Sequence, residues 1–195
     1  MSTSRAKTRD IGRGAVREEL ARTAFPLFCD RGFDEVTFEE LAAVSGVSRS
    51  TFLRYFGSKE EVVLFSFDPL GPQMTEVLLG RPAHEKDWPA LRHALAPATA
   101  FLNRDPSEGL ALLGLIGRTP ALCARLREKQ AGWRPDLARA LAERPGARPG
   151  PDLPRQALAG AALECLTVSL EHWASTGGDT DMDELIDDAF SAFTD

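Results

Sequence analysis

The chain has three cysteines, at positions 29, 123 and 165, odd in number and far apart. Disulfide frameworks and zinc sites use closely spaced or paired cysteines, so both are excluded and the thiols read as buried, reduced side chains. Long apolar runs are also missing. The longest, around residues 110–116, is far too short to cross a bilayer, and the polar, basic N-terminus has no apolar stretch behind it. The expectation is a cytoplasmic protein with no membrane span. An excess of positive charge is absent too, since the formal net charge is -6, which argues against a protein that coats nucleic acid indiscriminately. His84, His93 and His172 are not at metal-ligand spacing with one another or with a cysteine. Asp179, Asp181 and Asp183 start like a calcium loop, but Glu184 stands where the turn glycine belongs and Phe190 where the closing glutamate belongs. They read as an N-cap and first-turn acids of the last helix. No nucleophile elbow, phosphate-binding glycine loop or nucleotide fingerprint is present, so the chain is expected to be no enzyme and to need no metal or cofactor.

No run alternates with period two over the length of a strand, which makes the expected fold all-α. The most informative stretch is residues 37–62, TFEELAAVSGVSRSTFLRYFGSKEEV. Thr37 and Glu40 form a Thr-x-x-Glu capping box, with Phe38, Leu41 and Ala42 as the buried face of the helix they start. Gly46 ends that helix in a tight turn. Ser48 is placed to cap a second helix, polar in its first turn and aromatic or aliphatic later, which is what a recognition helix needs. Ser58 and Glu61 repeat the capping box before a third helix. The reading is a helix-turn-helix. Arg49, Ser50, Thr51 and Arg54 are the candidates for base or nearby phosphate contacts, Ser48, Tyr55 and Lys59 for the phosphate backbone, and Thr37 for a contact from the helix before. Val47, Phe52 and Phe56 read as core.

The order of these residues resembles the TetR family of bacterial transcriptional regulators. The resemblance rests on Gly46, Val47, Ser48, Thr51, Tyr55, Phe56, Ser58, Lys59 and Glu60, and reaches back through Ala24, Phe28, Gly32 and Phe33. It covers roughly residues 17–65. Leu53 stands where many members carry a phosphate-contacting tyrosine, which leaves part of that contact to Arg54. The resemblance implies a three-helix head on a larger helical body that binds an effector and dimerises.

Charge supports that division. Ten basic and ten acidic side chains fall in residues 1–65, leaving 13 basic and 19 acidic ones, the whole of the -6, for residues 66–195. The expected organisation is a basic flexible arm over 1–16, with Arg5, Lys7, Arg9 and Arg13 able to reach phosphates or a minor groove, a DNA-binding head over 17–65 and a body over 66–195. Proline and glycine breaks, the first spanning residues 68–72, divide the body into helices of roughly 88–104, 107–117, 120–144, 155–176 and 181–193.

Met182, Leu185, Ile186, Ala189, Phe190 and Phe193 make one apolar stripe. Upstream, Ala157, Gly160, Ala161 and Ala162 are small enough for close helix approach. With the family resemblance, these features imply a homodimer through residues 155–193 and an inverted-repeat operator on double-stranded DNA. Phe101, Leu110, Leu113, Ile116, Trp133, Leu166 and Trp173 supply material for an apolar pocket, and ordinary core is the alternative. The resemblance assigns this region a small-molecule effector; for a lipid-like one with an anionic head, Arg118, Arg125 or Lys129 could receive the head, a solvated face being the simpler reading of that run. The expected function is a DNA-binding regulator, a repressor released by a small apolar effector. The rivals are a ligand-independent DNA-binding dimer and a helical-bundle enzyme.

Overall fold

A computed structural model of the chain describes residues 2–147 and 149–193, with side chains from residue 12 onward. Among the described residues every regular element is helical. They fall into two compact units, Met1–Asp68 and Pro69–Asp195.

The first unit holds α1 (Ser2–Arg31), α2 (Phe38–Val44), α3 (Arg49–Tyr55), α4 (Lys59–Leu64) and a 3-10 turn at Phe65–Phe67. α1 packs on α2, on α4 and on the 3-10 turn, while α3 packs on α2. A file of aromatic rings makes the core. Phe52 lies 6.2 Å from Phe38 and 5.4 Å from Phe56, which in turn meets Phe65 edge-on at 6.0 Å. Phe28 stacks on Phe33 at 5.4 Å. The turn after α2 passes through Gly46 at φ +68, a left-handed backbone that a side chain would strain.

One expectation is corrected in this unit. The helix runs continuously from Ser2, so the segment expected to be a flexible arm has helical backbone. Arg5, Arg9, Arg13, Lys7, Ala6 and Ala15 favour helix there, while Gly12 and Gly14 oppose it. The side chains of Arg5, Lys7 and Arg9 lie outside the described residues.

The second unit comprises α5 (Leu70–Leu79), α6 (Asp87–Ala94), α7 (Ala96–Asn103), α8 (Pro106–Gly117), α9 (Pro120–Glu143), α10 (Asp152–Ser175) and α11 (Met182–Ser191). The long helices α9 and α10 pack on each other, α5 lies on α9, and α8 touches both α9 and α10. α11 closes over α10, α7 and α6. No single helix among the described residues is long and apolar enough to cross a membrane.

Two helix boundaries depart from expectation. The expected break at 68–72 is confined to the turn at Asp68 and Pro69, and α5 starts at Leu70 with Pro72 in its first turn, where a missing N–H breaks no intrahelical bond. The expected helix 88–104 divides at Leu95, where Pro97 occupies the first turn of α7.

The apolar stripe on α11 is largely covered within the chain. Met182 and Ile186 are fully buried and Phe190 nearly so within the chain itself. Trp88 of α6 stacks on Phe190 at 4.3 Å and its indole N–H donates to the Phe190 carbonyl at 3.2 Å. Arg92 of α6 pairs with Asp187 at 2.5 Å and Asp183 at 3.0 Å. What remains outside is Phe193, exposed, with Leu185 and Ala189 half-buried. Sequence periodicity identifies an apolar face but not whether its partner is the same chain.

Candidate nucleic-acid interface

Three local caps set the shape of the first unit. The Thr37 hydroxyl accepts the Glu40 backbone N–H, and the Glu40 carboxylate accepts the Thr37 N–H at 2.9 Å, which completes the capping box. Arg31 of α1 donates to the other Glu40 oxygen, and with the Thr37 bonds it holds this carboxyl at about 2, below the ordinary 4.5. Glu40 is therefore charged at neutral pH and ties α2 to the end of α1. Ser48 caps α3 by accepting the Thr51 N–H at 3.2 Å. Ser58 caps α4 through the Glu61 N–H, but the Glu61 carboxylate reaches past Ser58 to the Gly57 N–H at 2.9 Å, so the second capping box is only half formed.

α3 is two turns long and held from one side. Phe52 is fully buried, and so is Phe56 at its C-cap. Arg49, Ser50 and Arg54 are exposed, while Thr51, Leu53 and Tyr55 are half-buried. A short helix with one aromatic anchor and a polar first turn in water is what a major-groove reader must present. Arg13 of α1 donates to the Arg54 carbonyl at 3.3 Å, closing the C-terminal end of α3. Arg17 lies over the Phe56 and Phe65 rings, 5.0 and 4.6 Å from their centroids, and faces Asp68 at 3.6 Å.

Several candidates are already committed within the protein. Thr37 spends its hydroxyl on Glu40. The Ser48 and Thr51 hydroxyls bond each other at 2.9 Å. Lys59 is the most heavily engaged. Its ammonium donates to the carbonyls of Phe33, Asp34 and Val36 at 2.9, 3.3 and 2.9 Å and sits 4.8 Å above the Phe33 ring. All three of its N–H donors are thus aimed at the α1–α2 turn, so Lys59 latches α4 to that turn. Lys59→Ala is expected to lower the thermal midpoint of the head and to leave the salt slope of DNA binding unchanged. A reduced slope at unchanged stability would restore the phosphate role.

Sequence reasoning missed Glu39. Its carboxylate lies 2.5 Å from the Arg49 Nε, across from α2 to the first residue of α3. Capping residues announce themselves by local spacing, whereas this pair, ten positions apart, forms only once the two helices pack.

In the second unit, Leu113, Ile116, Trp133, Leu166 and Trp173 of the proposed pocket are buried, and Phe101 and Leu110 are half-buried. Trp173 is wedged between two glycines. A Cβ at Gly109 would come 3.3 Å from its ring, and one at Gly178 likewise, with Leu110 at 3.2 Å. Trp133 covers Gly71 of α5 so closely that a Cβ there would lie 2.3 Å from the indole. Arg125 pairs with Glu128 at 2.7 Å. His84, His93 and His172 are exposed. Asp181 caps α11 by accepting the Asp183 N–H at 2.7 Å. Among the described residues no group of three or more His, Cys, Asp or Glu side chains is arranged to hold a metal ion.

Comparison with known proteins bears on both units. Residues 20–64 match the family model for bacterial regulatory proteins of the tetR family, and residues 85–195 match that of the MftR C-terminal domain. The Streptomyces glaucescens transcriptional regulator TcmR is 32% identical over 136 residues, 67% of this chain and 60% of its own. The chain thus spans under two thirds of that relative. A Mycobacterium tuberculosis chain named "Putative mycofactocin biosynthesis transcriptional regulator MftR" is 27% identical over 161 residues, 83% of this chain and 81% of its own. Among solved structures, the Thermus thermophilus repressor FadR, crystallised with lauroyl-CoA, has a TM-score of 0.55 over 91% of this chain and 93% of its own. At 23% identity that likeness shows the fold alone. The relatives are named as transcriptional regulators, and the models match the reading helices and more than half of the chain as a single body, so the chain belongs to the TetR family of bacterial regulatory proteins.

Proposed function

We propose that the chain acts as a homodimeric repressor that binds an inverted-repeat operator through α3 and is released by a small apolar effector held in the second unit. The observation that carries the DNA part is the exposure of Arg49, Ser50 and Arg54 on a helix anchored by Phe52. Support for a dimer comes from apolar side chains left outside on α10 and just past the end of α11, namely Leu153, Val168 and Phe193. Two copies related by a twofold axis would set their α3 helices about 34 to 36 Å apart, one turn of DNA. The effector class is supported by the apolar make-up around Trp173 and Leu110, and by the acyl-CoA bound to FadR, a protein of the same fold. Close packing of Gly109 and Gly178 on Trp173 favours the second reading, a solid body and a constitutive DNA-binding dimer.

Binding to DNA from upstream of its own gene, against random DNA of equal length across a salt series, tests the reading. The expected result is saturable, sequence-dependent binding at two chains per site. Arg49→Ala should weaken operator binding by about 1 to 3 kcal/mol and leave random DNA unaffected. Equal binding to all sequences would remove the regulator reading. A long-chain acyl thioester that raises the thermal midpoint and releases the operator would support the repressor, whereas indifference to such ligands would favour the constitutive dimer.

A further inference from the structure

Successive glutamates on α2 have different duties. Glu40 is fully engaged by Thr37 and Arg31, as a capping residue. Glu39, its neighbour, takes no part in that box and instead meets the Arg49 guanidinium of α3 at 2.5 Å. Both side chains of the pair are more than half exposed, 64% for Glu39 and 56% for Arg49. An ion pair this open to water contributes little to folding. Its effect lies in where it leaves the guanidinium.

Arginine recognises guanine by directing two N–H donors at the O6 and N7 atoms of the base edge. The guanidinium offers two edges for this, one made by Nε and one Nη, the other by the two Nη atoms. Glu39 occupies Nε. The terminal Nη edge stays open, at the first residue of α3, where recognition helices of this type meet bases. An unrestrained arginine surrenders side-chain entropy when fixed, and a partner that restricts it beforehand removes part of that cost. The Glu39 carboxylate also repels phosphates, so it opposes a shift of Arg49 from base to backbone and disfavours DNA in which no base repays the approach.

We infer that Glu39 is a specificity-determining positioning residue: its carboxylate pairs with Arg49 on the Nε side and so places the guanidinium, terminal nitrogens outward, for a guanine in the operator. The inference rests on the DNA-reading function proposed above. It names the base type and the residue that positions the arginine for it.

An operator selected by the wild-type protein from randomised DNA provides the test. The ratio of operator to random-DNA affinity is measured for wild type, Glu39→Gln, Arg49→Ala and the double variant, with thermal midpoints recorded for each. Glu39→Gln is expected to keep the wild-type midpoint and to lower the ratio by roughly 5- to 10-fold, the lower part of what one bidentate base contact carries. In the Arg49→Ala background the same change should have no further effect on the ratio, because Glu39 acts through Arg49. Replacing the guanine pair should cost wild type more than it costs Glu39→Gln. An unchanged ratio overturns the proposal, and so does an equal loss in both backgrounds. A raised ratio also overturns it, since Glu39 would then withhold Arg49 from DNA. A wild-type protein that selects no sequence would sink the DNA-reading function and this role with it, an outcome visible before any variant is made.

Discussion

Phe52→Ala is expected to unfold the head and abolish DNA binding while the second unit stays folded. Phe52 is fully buried and touches the rings of Phe38 and Phe56, which join α2 and α3 to the end of the aromatic file. Truncating a buried phenylalanine in a close-packed core costs about 3 to 5 kcal/mol. Few other apolar side chains hold the seven-residue α3, and a small helical unit has little stability to lose. Far-UV circular dichroism should show helix lost at a lower denaturant concentration than in wild type, followed by a second transition at the wild-type position. A single transition shifted by less than 1 kcal/mol would mean that α3 is held by something other than its aromatic anchor.

Gly146→Ala should be nearly as damaging to the second unit. Gly146 has φ +79, which costs a side-chain-bearing residue about 1 to 2 kcal/mol. Its added Cβ would lie 2.1 Å from the Ala83 carbonyl oxygen, a backbone atom that cannot swing aside. The surroundings are clamped as well. Arg144 is almost wholly buried, donates to the Glu85 carbonyl and lies 3.8 Å from the Asp87 carboxylate. Glu85 in turn pairs with Arg81 at 2.6 Å, and that hydrogen bond, more than burial opposes it, holds its carboxyl below the usual range. Relief requires the segment before α6 and the segment after α9 to part, so the expected loss is about 2 to 5 kcal/mol in the denaturant midpoint of the body. Wild-type stability in Gly146→Ala would show that the two segments separate freely.

How legible these features were depends on the range of the interaction. Caps at Thr37, Ser48, Ser58 and Asp181 are visible in sequence because the bonded groups are two or three residues apart. Buried Phe52 and Phe56 could be read from the pattern of a helix that is polar at one end. The latch at Lys59, the stacking of Arg17 on two rings and the pairing of Glu39 with Arg49 could not, since each joins residues brought together only by packing. Prolines are ambiguous in sequence, because the same residue ends one helix or starts the next: Pro72 lies in the first turn of α5, after the turn at Asp68 and Pro69, and Pro97 in the first turn of α7. The α11 stripe was legible as apolar, but which half faces α6, α7 and α10 was not.

The distribution of indole and phenol rings has a practical consequence. Trp88, Trp133 and Trp173 are all the tryptophans of the chain, and all lie in Pro69–Asp195. Tyr55, the only tyrosine, sits on α3. Indole emission, excited at wavelengths where phenol does not absorb, therefore reports the body alone. Without any attached dye, it can register occupancy of the body whether or not the head is engaged on DNA.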